Sequence, residues 1–198
     1  MNGLVVAVTA GVAALWWRIS LKKIEARTLA KVMKERETRE KDFHYLNIVL
    51  EEAKAGMEAG DGGPFGAIIV HTATGKIVTK AHNAVLSTND PTAHAEMLCI
   101  QRACKALNTM DLSSCEIFTS CEPCPMSFAA IFLSRLSRLV YGASSESATN
   151  VGFDPGNISD SLRGTAVHQK SYVKVEQLNH PKFHELFELA KKKDLTVY

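Results

Sequence analysis

The chain has no cysteine pattern that could be read as a disulfide framework: Cys99, Cys104, Cys115, Cys121 and Cys124 are odd in number and irregularly spaced. Such usage fits reduced thiols facing a cytosol and predicts no structural disulfides. A basic stripe is also missing. Residues 18–42 hold nine Lys/Arg and five Asp/Glu, which leaves fourteen and sixteen of the chain's 23 and 21 for residues 43–198. A segment with a net charge of about −2 does not have the cationic footprint that phosphate-backbone binding requires, so large nucleic acids are not expected partners. There is no internal repeat and no low-complexity tract. At 198 residues and 46% hydrophobic, the chain suits one globular domain with a sizeable core plus an appendage.

Charge is absent altogether from Met1 to Trp17, where Leu4–Val8 and Val12–Trp17 are strongly apolar. Seventeen helical residues reach about 25 Å, the short limit for a hydrocarbon core of about 30 Å. Trp16 and Trp17 suit a membrane interface, and Arg18, Lys22 and Lys23 follow them, which predicts an N-terminal apolar helix anchored in a membrane with the rest of the chain on the cytoplasmic side. Two alternatives stay open: a cleaved or organellar targeting peptide, and translation from Met33, which would give a soluble cytoplasmic protein. Residues 18–42 read as a charged helical stalk; within it Lys34–Asp42 alternates charge sign without an apolar stripe.

From residue 43 the pattern changes. Phe43, Leu46, Val49, Leu50, Ala53 and Met57 recur at helical spacing, predicting an amphipathic helix over 42–59 that Gly60-Asp61-Gly62-Gly63-Pro64 stops. Phe65–Val70 reads as a strand, Thr72–Gly75 as a hairpin turn and Lys76–Val85 as the returning strand. Asp90 or Thr92 is expected to cap a helix over Ala93–Leu107 with His94 and Glu96 in its first turn. Glu116–Thr119 is a short strand, Pro123 fits the first position of a helix over 124–135, and Leu139–Gly142 is a further strand. The tail predicts a helix near Ser159–Arg163, a strand at Tyr172–Gln177 and a helix over 181–192. This order argues for an α/β domain over 43–198 with helices on both faces of a mixed sheet.

Two helix starts carry the chemistry. Pro91-Thr92-Ala93-His94-Ala95-Glu96 supplies an H-x-E triplet, and Pro123-Cys124-Pro125-Met126-Ser127 reads as P-C-x-x-C with the last cysteine lost. An isolated H-x-E is a weak signal. Joined to P-C-x-x-C across an intervening strand, it is the signature of zinc-dependent base deaminases. Imidazole nitrogen and thiolate sulfur suit a tetrahedral zinc that keeps one position for water. Glu96, two residues from His94, is placed for general acid–base work rather than ligation. Cys99, Cys104 and Cys115 fall at apolar positions and read as core.

At these residues the chain resembles the cytidine-deaminase-like superfamily, and within it the guanine deaminases and plant guanosine deaminases. The likeness rests on Gly62–Ala67, Ser87–Glu96, Thr119–Met126 and Leu136–Ala143, with Leu162–Thr165 and a terminal Tyr198 leaning toward the plant guanosine branch. The resemblance implies a three-layer α/β/α domain, bound Zn2+, a homodimer whose C-terminal segment is exchanged between subunits, and hydrolytic loss of the amino group at C2 of a small purine. It implies His94 and Cys124 as zinc ligands, Glu96 as proton shuttle, Asn83 as a substrate hydrogen-bond partner and the Ala95 N–H beside the reacting oxygen. Phe65 becomes a pocket wall, and Tyr198 closes the site. For Asn83, Phe65 and Tyr198 the plainer readings, a turn polar residue, a core aromatic and a frayed terminus, remain open.

Ser127 stands where related deaminases carry a ligand cysteine, and a serine hydroxyl stays protonated near pH 7. Three outcomes follow: Cys121 replaces the lost thiolate through its C-x-x-C spacing, a weak Ser127 or an extra water completes the set, or the site holds no metal. In Gly152-Phe153-Asp154-Pro155 a second acidic residue expected beside Asp154 is also missing, and Asp154 or Asp160 is left to meet the guanine edge. The sequence therefore points to a zinc-dependent guanosine or guanine deaminase. The alternatives are a metal-poor pseudoenzyme serving as a binding or dimer partner, and a deaminase of another base, with tRNA adenosine disfavoured by the acidic domain.

Overall fold

The computed structural model describes residues 2–150, 152, 153 and 158, with side chains from residue 22 onward. In chain order the elements are α1 (Asn2–Glu58), β1 (Gly66–His71), β2 (Ile77–His82), α2 (Val85–Thr88), α3 (Ala95–Leu107), β3 (Cys115–Cys121), α4 (Pro125–Leu133), β4 (Leu139–Ala143) and α5 (Ser145–Thr149). The two helices and the strand expected near Ser159–Arg163, over 181–192 and at Tyr172–Gln177 lie outside the described residues. The chain divides into two compact units, Met1–Asn47 and Ile48–Tyr198. In the first, the described side chains of α1 are mostly exposed, and Arg36 pairs with Glu40 one turn on at 3.0 Å. Among the described residues no helix is long and apolar enough to cross a membrane, so the anchor expected over residues 1–17 gains no structural support.

In the second unit, the strands form one mixed sheet in the order β2-β1-β3-β4. β1 pairs antiparallel with β2 and with β3, while β3 and β4 run parallel. The Thr72–Gly75 turn closes the hairpin, with Gly75 at φ +67° and its N–H bonded to His71 O at 2.9 Å; a positive φ favours glycine there.

Side-chain alternation sorts the strands onto two faces. Ala67, Ile69, Ala81 and Ile117 join Ala95, Cys99 and Ala103 of α3 and Ile131 of α4 in one core. The intervening Ile68, Val70 and Phe118 are fully buried and point to the other face. Each such side chain contributes about 1.5–3 kcal/mol by burial. On this face Gly66 allows the close approach: a Cβ there would meet Val49 O at 2.6 Å and Ala53 N at 2.9 Å. α1 ends as expected, with Gly60 at φ +77° and its N–H bonded to Met57 O.

Two helix starts differ from the sequence expectation. Helix α3 begins at Ala95 with His94 as its N-cap in extended backbone (φ −69°, ψ 153°). Asp90 does not cap it: its Oδ1 accepts from Thr92 N and Oγ1, closing a turn two residues on, the local competition typical of Asp. Helix α4 begins at Pro125 rather than Pro123, with Cys124 as N-cap at φ −65°, ψ 166°. The residue before a proline is pushed out of the α region, and Cys124 accordingly takes extended backbone. Cys121 is accordingly the last residue of β3 rather than part of a loop. β2 ends at His82, short of the expected Val85, and the short α2 starts at Val85.

Candidate active site

His94 and Cys124 are both N-cap residues in extended backbone, and this places them side by side. His94 Nδ1 lies 3.6 Å from Cys124 Sγ. Cys124 Sγ lies 3.6 Å from Ser127 Oγ, and the Ser127 hydroxyl donates to Glu96 Oε2 at 3.2 Å. The four side chains thus form one hydrogen-bonded chain. Ser127 is fully buried and Glu96 is 7% exposed.

The surroundings set the protonation states. Burial pushes the Glu96 carboxyl above its usual range. At Cys124 burial also works upward, but hydrogen bonds to His94 and Ser127 outweigh it and bring the thiol down to about 7. The same Cys124 contact raises His94, against its burial. Cys121 behaves differently: its thiol donates to Ser144 O at 3.4 Å, and burial raises it. All five cysteines are free thiols.

A metal can be tested against this donor set. For bonds of about 2.0–2.1 Å to nitrogen and 2.3 Å to sulfur, two ligands of a tetrahedral zinc lie about 3.6 Å apart, which is the His94–Cys124 separation. These two residues fit zinc at two corners. The third corner offers only the Ser127 alcohol, and among the described residues no group of three His, Cys, Asp or Glu is placed to hold a metal. Cys121, with its thiol turned to the Ser144 carbonyl, does not fill the gap.

These residues sit at a cavity of about 420 Å³. Its wall includes His94, Glu96, Cys121 and Cys124, and also Phe65 and Asn83. Asn83 is 6% exposed. Its Oδ1 accepts from Val85 N at 3.2 Å, and Gly62 packs directly on its amide. Ala95 is fully buried behind His94. Asp154, Asp160 and Tyr198 lie outside the described residues.

Sequence reasoning missed several lining residues, among them Val85, Leu86, Glu122 and Phe153. Phe153 meets Phe65 edge to face, with centroids 5.1 Å apart and planes at 87°. Glu122 is held by Ser145, whose N–H and Oγ both donate to its Oε2 at 3.0 and 2.9 Å. Glu122 and Phe153 carried a signal, since each lies in a segment already compared with relatives; Val85 and Leu86 carried none.

The region that holds these residues resembles known proteins. Residues 39–143 match the cytidine and deoxycytidylate deaminase zinc-binding region. The guanine deaminase of Bacillus subtilis is 44% identical over 110 residues, 56% of this chain and 69% of that protein. Its crystal structure superposes with a TM-score of 0.71 at 34% identity, covering 78% of this chain and 96% of that one. A tRNA-specific adenosine deaminase of Aquifex aeolicus is 47% identical over 100 residues, 50% of this chain and 64% of that protein. A solved structure with 8-azaguanine bound matches at a TM-score of 0.54 and 35% identity, over 60% of this chain and 70% of its own. By the matched region and by these relatives, the chain belongs to the cytidine and deoxycytidylate deaminase family.

Proposed function

We propose that the protein is a zinc-dependent hydrolytic deaminase of guanine or guanosine, yielding xanthine or xanthosine and ammonia, with residues 43–198 as its catalytic domain and a homodimer as its working form. The observation that carries the reading is the convergence of His94, Cys124 and Glu96 on one cavity whose wall also holds Phe65, Phe153 and Asn83. A planar heterocycle suits such a site, with aromatic rings for its faces and an amide for its polar edge.

His94 and Cys124 would hold the metal, which when bound supplies Lewis-acid activation of water. Glu96 carries the proton. It takes one from the attacking water, passes it to a ring nitrogen and delivers the second to the departing amine, so that water and substrate give the oxo-purine and ammonia. Burial, which raises the carboxyl, poises it to give a proton as well as take one. Asn83, fixed by Val85 N and Gly62, presents its amide NH2 to an acceptor on the base. The Ala95 N–H lies in the first turn of α3, where helix-terminal donors favour developing negative charge.

A second reading has its own support. Ser127 in place of a thiolate weakens the metal set, which favours a pseudoenzyme that binds purines or a partner chain without turnover. Ammonia release from guanine, guanosine, deoxyguanosine, adenine and cytosine at saturating zinc separates the two. The deaminase reading expects turnover on the guanine compounds that falls by about 10²–10⁴ in Glu96→Gln. Guanine binding with no ammonia from any of the five would leave the pseudoenzyme.

A further inference from the structure

We infer that Ser127 is a positioning residue for Glu96 and does not ligate zinc. The inference rests on the reading of Glu96 as the proton carrier. It comes from the hydrogen-bond inventory of one buried hydroxyl. Ser127 Oγ has a single proton and two lone pairs. The proton goes to Glu96 Oε2 at 3.2 Å, and the oxygen faces Cys124 Sγ at 3.6 Å.

Among the described residues, Ser127 is the only side chain hydrogen-bonded to the Glu96 carboxyl. A carboxyl this deeply buried needs a partner, since an unsatisfied buried acceptor is costly. The position therefore has a use that does not involve the metal. A neutral alcohol is a poor zinc donor, and its proton fixes one carboxyl oxygen. A thiolate at the same place would have no proton to give and would set a negative charge beside Glu96. Exchanging cysteine for serine thus trades a metal bond for a hydrogen bond that orients the acid–base group.

The consequence is a division of labour along α4. Cys124, at its N-cap, faces His94 and the metal corner, while Ser127, three residues on, faces Glu96. Loss of the hydroxyl should lower kcat with little change in KM, because it alters the aim of Glu96 and touches nothing that binds the base.

Difference infrared spectroscopy on the full chain tests this, with the Glu96 carboxyl band identified by its absence in Glu96→Gln. Spectra are compared for wild type and Ser127→Ala, without metal and at saturating zinc. The inference expects the substitution to shift the Glu96 band in both conditions. It is overturned if the bands of the two proteins coincide at saturating zinc, which would mean that the hydroxyl has left Glu96 for the metal, or if they coincide without metal, which would mean that the hydroxyl does not hold Glu96. Ser127→Cys, which keeps the volume and donates more weakly, provides a second zinc-free comparison if the alanine variant does not fold, with a shifted band expected and an unshifted one overturning the inference. If zinc does not load onto the wild type at all, the zinc-dependent reading of the protein falls, while the zinc-free spectra still decide whether Ser127 holds Glu96.

Discussion

Cys124 Sγ and His94 Nδ1 stand 3.6 Å apart, the edge of a zinc tetrahedron, and both belong to N-caps whose extended backbone turns them toward each other. The metal corner beyond them has no third thiolate, since Cys121 gives its proton to Ser144 O. Ser127→Cys should therefore raise zinc affinity by about tenfold or more, about 1.4 kcal/mol. Cys121→Ser should leave it unchanged. Competition with a chromophoric chelator measures both, and a large loss in Cys121→Ser would mean that Cys121 turns inward.

The same contact makes a prediction for the metal-free protein. Thiolate is the nucleophile, so alkylation of Cys124 should rise with pH and level off above about 7. His94→Ala removes the main hydrogen bond that favours the thiolate, so the inflection should move upward. Mass-spectrometric mapping of labelled Cys124 against pH follows it; an unmoved inflection would contradict the role given to His94.

His82 ties the cavity loop to the end of α1. Its Nδ1 lies 3.0 Å from Glu52 Oε1 and its Nε2 2.9 Å from Asp61 Oδ2, while Lys80 Nζ reaches Glu52 Oε2 at 2.9 Å. Burial pushes Glu52 up, yet the Lys80 and His82 hydrogen bonds outweigh it and leave the carboxyl below its usual range. A depressed carboxyl stabilises the fold above its unfolded pKa of about 4.3 and loses that contribution as pH falls through the folded value. Glu52→Gln should therefore cost about 1–3 kcal/mol at pH 7. The gap to wild type should narrow as pH falls below about 4.3. Urea unfolding at pH 7 and pH 3.5 checks the sign.

Gly66 sets the distance between β1 and α1. Because a Cβ there would meet Val49 O at 2.6 Å and Ala53 N at 2.9 Å, backbone rather than a flexible side chain would have to move. Gly66→Ala should destabilise by about 1–3 kcal/mol, read as a lower unfolding midpoint.

Much of this was legible in the sequence because period and punctuation agree. The helix ending near Glu58, the hairpin around Gly75 and the strands of the mixed sheet follow from spacing and turn residues alone. The two helix starts that matter most were each misplaced. Cys124 is flanked by Pro123 and Pro125, and either proline suits a first helical position; only the restriction on a residue preceding proline selects Pro125. At His94 an Asp–Pro–Thr run looks like a cap but closes its own turn. The direction of the Cys121 thiol, which separates two of the three outcomes at Ser127, depends on β3 continuing to Cys121, and no spacing rule reports that. Phe153 reaches Phe65 from nearly ninety positions away, a pairing that only tertiary structure supplies.

The most direct test of the deaminase reading is product analysis in ¹⁸O-labelled water. Purified full-length protein with saturating zinc is incubated with guanine or guanosine, and the products are resolved by mass. Hydrolytic deamination at C2 predicts xanthine or xanthosine carrying one ¹⁸O per molecule and one equivalent of ammonia, abolished in Glu96→Gln. Unlabelled or absent xanthine product in both wild type and Ser127→Cys, or turnover confined to adenine compounds, would contradict it.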